Sequence, residues 1–195
     1  MGLDGKRIAI LAENLYEDLE LWYPVIRMRE AGAKVTVVGT GTAGTYTSKR
    51  GLPVTVDATA DEVAATDFDA VIVPGGYAPD LLRRHKSVLK LVRDVFDASK
   101  PVAAICHAGW VLVSAGIVRA KRLTSFSSIK DDMVNAGACW EDSEVVVDGN
   151  LITSRKPDDL PAFCKAIIRA LTESAAEPGR ASKARRAATK RKGRR

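Results

Sequence analysis

A cysteine followed directly by a histidine is the feature of this chain best suited to nucleophilic chemistry. Cys106 and His107 come after a short apolar run, 102–105, and an amphipathic segment begins at once and ends at Gly116. Such a strand-to-helix corner presents one side chain at the carboxyl edge of a sheet, beside the unpaired N–H groups of the new helix. The positive helix end would stabilise a thiolate, the nucleophilic form of cysteine. A buried core cysteine is the alternative, since free cysteines are among the most buried residue types.

Two further strand ends carry residues suited to the same chemistry. The apolar run 70–74 is followed by Gly75 and Gly76, whose backbone N–H groups could come close to a bound oxygen. Near the N-terminus the run 7–12 precedes Glu17, which opens a helical segment. Taken singly, a tight turn explains the glycines, and the helix dipole explains a first-turn acid. Together with the thiol they predict a ligand site, because open α/β sheets bind ligands at the carboxyl ends of their strands.

The order and spacing of several short blocks resemble the PfpI family of intracellular cysteine peptidases and deglycases. This family lies in the class I glutamine amidotransferase-like superfamily, which includes the parkinsonism-associated deglycase. The resemblance runs from about Lys6 to Leu171. It is carried by the blocks 16–20, 73–80, 101–107, 129–137, 144–150 and 153–155. Each block is a modest signal alone, and their common order makes the match specific.

The resemblance implies a role for each matching position. Cys106 is similar to the family nucleophile and His107 to its adjacent general base. Glu17 matches the carboxyl group that hydrogen-bonds the sulfur, and Gly75, Gly76 and the backbone of His107 would form an oxyanion site. Cys106 is therefore expected to have a pKa below that of an ordinary cysteine, provided that the acid beside it is protonated.

Asp80 is a departure from the family pattern that bears on catalysis. In peptidase-type members a glutamate just after the Pro-Gly-Gly loop reaches across a subunit boundary to orient the histidine. The corresponding residue here is Asp80, which is one methylene shorter. The resemblance therefore implies self-association, as a homodimer or as a hexamer built from dimers, with Asp80 as the third catalytic residue.

The histidine content separates the chain from related amidotransferases. Those enzymes use a histidine far downstream of the cysteine, whereas this chain has only His85 and His107. Amidotransfer in the usual manner is therefore not expected. Two distant histidines and the lack of a Cys-x-x-Cys motif also predict that there is no metal site. No cofactor is expected.

Three functions use an activated thiol at a strand end, and the sequence leaves them open. Cys106 could attack a peptide or glycated carbonyl centre, and water would then resolve the intermediate, which is peptidase or deglycase chemistry. The same thiol could add to a small dicarbonyl such as methylglyoxal and yield a hydroxy acid. A stress-response redox sensor or chaperone would instead use Cys106 as an oxidisable group.

Apolar runs that alternate with helical patterns predict a flavodoxin-like α/β three-layer sandwich, with a mainly parallel sheet covered by helices on both faces. The predicted strands are 7–12, 34–39, 70–74, 102–105, 145–148 and 151–154, and the predicted helices are 17–31, 87–99, 107–115, 130–136 and 158–173. Thr45 to Val56 reads as a hairpin inserted at one edge of the sheet. Asp148-Gly149-Asn150 is a hairpin turn signal that makes the last two strands antiparallel.

Length and composition favour one domain over 1–173 and a basic tail over 174–195. No secretory or membrane-spanning segment is expected. The three cysteines are an odd number without framework spacing, which favours a reducing, cytoplasmic compartment. The tail holds nine Lys or Arg residues and one acid, so its net charge is +8, against +6 for the whole chain. Its composition predicts disorder, and it would bind nucleic acid through phosphates or serve as a solvated extension without a partner.

Removing residues 175–195 should abolish any binding to DNA or RNA, because the rest of the chain carries a net charge of about −2. Turnover of a small substrate should stay nearly unchanged. A mobility-shift series at increasing salt compares the full chain with the truncated one, and affinity of the full chain should fall steeply with salt. Equal binding by both forms would place the nucleic-acid surface on the rest of the chain.

Overall fold

Strands and helices alternate along the chain, as the sequence predicts. The structure is a computed structural model that describes residues 2–173, so the tail predicted over 174–195 lies outside the described residues. The strands are β1 Arg7–Leu11, β2 Lys34–Gly39, β3 Thr45–Thr47, β4 Pro53–Thr55, β5 Ala58–Thr59, β6 Ala70–Val73, β7 Val102–Ile105, β8 Arg122–Leu123, β9 Cys139–Trp140, β10 Val145–Asp148 and β11 Leu151–Ser154. The α-helices are α1 Asp18–Glu30, α2 Ala78–Leu82, α3 Lys86–Asp97, α4 Gly109–Ala115, α5 Lys130–Asn135 and α6 Leu160–Glu173.

The central sheet has seven strands in the order β10-β11-β7-β6-β1-β2-β5. All of its neighbours are parallel except β10 and β11, which form the predicted antiparallel pair. β6 and β7 are buried along their whole length, which explains why their sequences are continuous apolar runs rather than alternating ones. The prediction of a mainly parallel α/β sheet is confirmed.

Helices cover both faces of this sheet because of the direction in which the chain crosses it. From β1 the chain moves through α1 to β2 on one side, and from β6 it moves through α3 to β7 on the other. Right-handed crossovers in opposite directions place their helices on opposite faces. Accordingly, α1 packs with α6 and α3 packs with α4. Cys164, on α6, is buried.

β3 and β4 form the predicted antiparallel hairpin, but as a separate two-stranded sheet rather than as an edge of the central one. A buried polar group fixes the hairpin over the ends of β1 and β2. The Tyr46 hydroxyl lies 2.9 Å from Thr40 Oγ1 and 3.1 Å from Thr42 Oγ1, and Thr42 donates to Glu13 at 2.9 Å. The turn of the hairpin is therefore held at the carboxyl edge of the central sheet.

Several short elements have no counterpart in the sequence-based prediction. These are α2 and the two-residue strands β5, β8 and β9. Segments this short show no periodicity of their own and depend on tertiary contacts.

Within residues 2–173 no helix combines the length and apolar character needed to cross a membrane. The carboxyl ends of β1, β6 and β7 lie side by side, and this is where the predicted site residues fall.

Candidate active site

Cys106 lies at the sharp corner where β7 ends. Its backbone has a φ of +62°, in the left-handed region that non-glycine residues rarely adopt. A 3-10 turn over Cys106–Ala108 leads directly into α4, and the Cys106 carbonyl accepts a hydrogen bond from the Phe126 N–H at 3.2 Å. Only 8% of the residue is exposed. The predicted strand-to-helix corner is thus present, and it presents the sulfur at the carboxyl edge of the sheet.

The carboxyl group beside the thiol belongs to Glu20, so the expectation that Glu17 contacts the sulfur is wrong. Glu20 is fully buried, its Oε2 accepts a hydrogen bond from the Gly75 N–H at 2.8 Å, and its carboxyl interacts with the Cys106 thiol. Its Oε1 is buried without a regular hydrogen bond to any described residue. The carboxyl group is therefore placed to exchange a proton with the thiol.

Glu17 has a different task because it is the N-cap of α1. Its Oε2 accepts hydrogen bonds from the N–H groups of Leu19 and Glu20 at 2.9 and 3.0 Å, and the side chain thus turns back onto the helix end. Glu20, three residues later, faces the sheet instead. A Glu at the cap followed by a Glu at the third helical position resembles a capping-box pattern, but the Glu17 N–H donates to the Gly75 carbonyl at 3.1 Å, which leaves the Glu20 side chain to the site.

Gly75 and Gly76 were both expected to form the oxyanion site, but their N–H groups have different partners. The Gly75 N–H is taken by Glu20, so Gly75 positions the carboxyl group rather than an oxyanion, which corrects its assignment. A Cβ at Gly75 would lie 2.5 Å from Glu20 Oε2 and 2.7 Å from Cys106 Cβ, so only glycine fits. Gly76, with φ +81°, and His107 direct their N–H groups to the sulfur. These two N–H groups favour negative charge on the sulfur, and their role toward a substrate oxygen stays a prediction.

His107 lies between the thiol and a serine that the sequence analysis missed. Its Nδ1 is 3.2 Å from Cys106 Sγ, and its Nε2 is 3.0 Å from Ser128 Oγ. The ring stacks on Phe126 and meets Trp110 edge to face. Burial and the nearby charge of Lys49 lower the pKa of His107, which favours the neutral ring at pH 7. With Nε2–H donating to Ser128, Nδ1 is free to accept the thiol proton.

Asp80 does not contact His107 within the chain. It lies on α2, where its carboxylate forms an ion pair with Arg84 one turn later. Inside one chain, Ser128 therefore makes the contact that the resemblance assigned to an acid. Ser128 lies in a 3-10 turn, Ser127–Ile129, where no periodicity or motif marks it. The role of Asp80 across a subunit boundary stays a prediction.

The thiol and the carboxyl group titrate as a coupled pair. Burial, with the charge of Glu17, raises the pKa of Glu20 to about 7. Burial and the charge of Glu20 raise the pKa of Cys106 to about 12, although the N–H groups of His107 and Gly76 lower it. The expectation of a depressed cysteine pKa was made for a protonated acid; burial and an ionised Glu20 act in the opposite direction. Glu20 and His107 both flank the sulfur, so the thiol can lose its proton to a neighbour as it attacks.

Within residues 2–173 no group of three or more His, Cys, Asp or Glu side chains is arranged to hold a metal ion. The site chemistry described above rests on the thiol, the carboxyl group and the imidazole. A cavity of about 850 Å³ lies at the other end of β7, where Pro101 and Asn150 line it, and it is separate from this site.

Comparisons with known proteins relate most of the chain to one family. The model of the DJ-1/PfpI family matches residues 6–170. The chain is 43% identical to Deglycase PfpI of Pyrococcus furiosus over 165 residues, 85% of this chain and 99% of that protein. It is 42% identical to Protein/nucleic acid deglycase 2 of Escherichia coli over 169 residues, 86% of this chain and 98% of that protein. The crystal structure of Drosophila melanogaster DJ-1beta superposes with a TM-score of 0.80 at 32% identity, covering 86% of this chain and 90% of that one.

Replacing Glu20 with Gln should lower the pKa of Cys106 by roughly 1 to 3 pH units, because it removes the negative charge that opposes a thiolate. The amide can still accept the Gly75 N–H. Alkylation by iodoacetamide measured against pH, in a Cys139→Ser background, follows the titration. Glu144→Gln, at an exposed acid remote in sequence, serves as the control. An unchanged or higher titration midpoint in Glu20→Gln would contradict the coupling.

Proposed function

The chain belongs to the DJ-1/PfpI family, and on that premise we propose that it is a cysteine-dependent hydrolase of the PfpI type, a deglycase or peptidase. Its substrates would be small carbonyl, glycated or peptide compounds. The observation that carries this proposal is the position of Cys106 between two proton acceptors, the Glu20 carboxyl group and His107 Nδ1. An inert core cysteine would not be flanked by both.

In the proposed reaction on a peptide, Cys106 Sγ attacks the carbonyl carbon of the substrate and forms a C–S bond. The thiol proton passes to His107 Nδ1, and the carbonyl oxygen gains negative charge opposite the N–H groups of Gly76 and His107. When the C–N bond breaks, the imidazolium returns its proton to the leaving amine. Water then attacks the thioester, which restores the thiol and releases an acid. With a methylglyoxal-glycated amine, Sγ instead replaces the amine on the aminocarbinol carbon and forms a hemithioacetal. A proton moved from that carbon to the neighbouring carbonyl carbon, through an enediol, converts the hemithioacetal into a thioester, and water then releases a hydroxy acid.

The small exposed fraction of Cys106 favours compact substrates over folded proteins. A glycated amine or a short peptide end can reach a nearly buried sulfur more readily than a segment of a folded chain. A glyoxalase-type reaction fits the same residues as the alternative. In it one carbon of a dicarbonyl is oxidised to the acid while its neighbour is reduced to the alcohol, so only water is added and no outside oxidant is needed.

A redox sensor or chaperone is the alternative outside catalysis. Oxidation of a cysteine follows its thiolate character and its exposure. Burial and the charge of Glu20 raise the pKa of Cys106, and the residue is nearly buried, so both observations weigh against an oxidation sensor. For the location we propose the cytoplasm, which is consistent with three free thiols, at Cys106, Cys139 and Cys164.

Cys106→Ser should lose at least about 1,000-fold in turnover of the preferred substrate, because the hydroxyl is a much weaker nucleophile here. The assay compares a methylglyoxal-glycated amino acid, methylglyoxal itself and a fluorogenic peptide.

Ser128→Ala should lower kcat in the same assay by roughly 10-fold, since it leaves the His107 ring without its Nε2 partner. Cys139→Ser, which removes an exposed thiol on β9, is the matched control. If the wild-type protein consumes none of the three compounds, the hydrolase proposal fails.

We further propose that the chain assembles with copies of itself through the outer face of α1. Leu19, Tyr23 and Ile26 recur at helical spacing, and 53%, 37% and 63% of them are exposed. Apolar side chains in such a row are typical of a protein–protein contact. A second copy would cover this row and could bring its Asp80 to His107.

Ile26→Glu should shift the assembly toward the monomer, because it places a charge in the apolar contact. Sedimentation velocity measures the shift, with Lys165→Glu on the exposed side of α6 as the control. Asp80→Asn should leave the assembly intact and lower turnover. A fully active Ile26→Glu monomer would remove Asp80 from the mechanism.

A further inference from the structure

We propose that Lys49 is a specificity residue that binds an anionic group, a carboxylate or phosphate, carried by the carbonyl compound that reacts with Cys106. This inference rests on the proposed function, since it names the class of substrate for the same site. It follows from the placement of the partly exposed Lys49 ammonium group near Glu20 and His107, the two side chains that flank the sulfur. Substrates of this class include glycated amino acids and glycated phosphate-bearing amines.

The backbone of Lys49 is held firmly at the edge of the site. Lys49 lies in the turn between β3 and β4, and its N–H donates to the Tyr16 carbonyl at 3.1 Å. On the same hairpin, Thr47 accepts a hydrogen bond from the Leu15 N–H at 2.7 Å. On the other side of the turn the Tyr16 hydroxyl donates to the Leu52 carbonyl at 2.5 Å. The ammonium group is therefore presented from a fixed base at the end of a flexible stem.

Two cations of this turn, Lys49 and Arg50, face a single carboxylate, that of Glu17. Lys49 Nζ and Arg50 Nη1 both lie 3.6 Å from Glu17 Oε1, farther than a hydrogen bond. Glu17 already accepts two backbone N–H groups through Oε2. The neighbouring acid, Asp18, accepts the Ser48 hydroxyl at 2.7 Å. With 44% of the Lys49 and 67% of the Arg50 side chain exposed, both cations keep N–H donors for an incoming anion.

Lys49 lies close to the reacting atoms, because Tyr16, whose carbonyl accepts the Lys49 N–H at 3.1 Å, forms an antiparallel bridge with Gly76 beside the sulfur. Its charge lowers the pKa of Glu20 and the pKa of His107, the two groups on either side of Cys106. A compound whose carbonyl carbon sits on the sulfur would therefore hold a nearby carboxylate or phosphate within the field of Lys49. Because exposed ion pairs contribute little to stability, the pair with Glu17 does not by itself account for a cation here.

The first test uses two alkylating reagents of nearly equal size, iodoacetate and iodoacetamide, and does not depend on turnover. For each protein the ratio of their rates at Cys106 is measured in a Cys139→Ser background, which cancels changes in thiol pKa. Lys49→Gln should lower the ratio of iodoacetate to iodoacetamide by roughly tenfold at low salt, and Lys49→Arg should keep most of it. Lys165→Gln, beside the cavity at the other end of the sheet, is the matched control. A ratio unchanged by Lys49→Gln would overturn the proposal.

A second test compares kcat/KM for the methylglyoxal adducts of β-alanine, O-phosphoethanolamine and 2-methoxyethylamine, which carry a carboxylate, a phosphate and no charge. The wild-type protein should prefer one or both anionic adducts by roughly tenfold or more, and Lys49→Gln should reduce that preference mainly through KM. The two anionic adducts separate carboxylate from phosphate recognition. Equal kcat/KM for all three would overturn the inference while leaving the hydrolase proposal intact. If none of the adducts is turned over but the alkylation ratio still depends on Lys49, the hydrolase proposal fails and the anion-binding role of Lys49 stands.

Discussion

A carboxyl group buried in the first turn of α1 is the constraint on which the arrangement of this site depends. Removing such a group from water is costly unless it is hydrogen-bonded or keeps its proton. Glu20 meets this requirement on one side only, through the Gly75 N–H, and its other oxygen has no regular partner among the described residues. Because a Cβ on Gly75 would collide with both Glu20 and Cys106, the end of β6, the start of α1 and the corner after β7 are fitted to one another.

The same contact decides how the thiol can react. An ionised Glu20 opposes a thiolate, and a protonated Glu20 can stabilise one, so the site controls nucleophilicity through the position of a proton rather than through a permanently ionised sulfur. His107 adds a second acceptor whose pKa is lowered by burial, and Ser128 sets which ring nitrogen faces the sulfur. Glu17, as the helix cap, contributes the charge that helps Glu20 keep its proton.

The fold could be read from the sequence because continuous apolar runs and amphipathic segments alternate along it. Cys106 and His107 could be found for the same reason, since an apolar run that ends in a reactive pair marks a strand end. The choice between Glu17 and Glu20 could not be made in this way. Both acids lie in the first turn of α1, and only the backbone geometry shows that the first turns back to cap the helix while the second faces the thiol.

Other parts of the site depend on directions that sequence patterns do not encode. The glycine pair is visible in the sequence. Whether each N–H points to a carboxyl group or to the sulfur depends on the orientation of its peptide plane, which the sequence does not give. Ser128 lies in a three-residue 3-10 turn and approaches His107 across 21 residues of chain. The hairpin that carries Lys49 was predicted as an element, whereas its position over the site results from the buried contacts of Tyr46 and Glu13.

The central claim is that Glu20 holds its proton into the neutral range, and a direct titration of its carboxyl carbon tests it. The protein is labelled with ¹³C at glutamate side-chain carboxyl groups, Glu20 is assigned by comparison with Glu20→Gln, and its chemical shift is followed against pH. The account predicts a midpoint near pH 7, in contrast to an ordinary glutamate near 4.5. A Glu20 carboxyl group that is fully ionised by about pH 5 would contradict it.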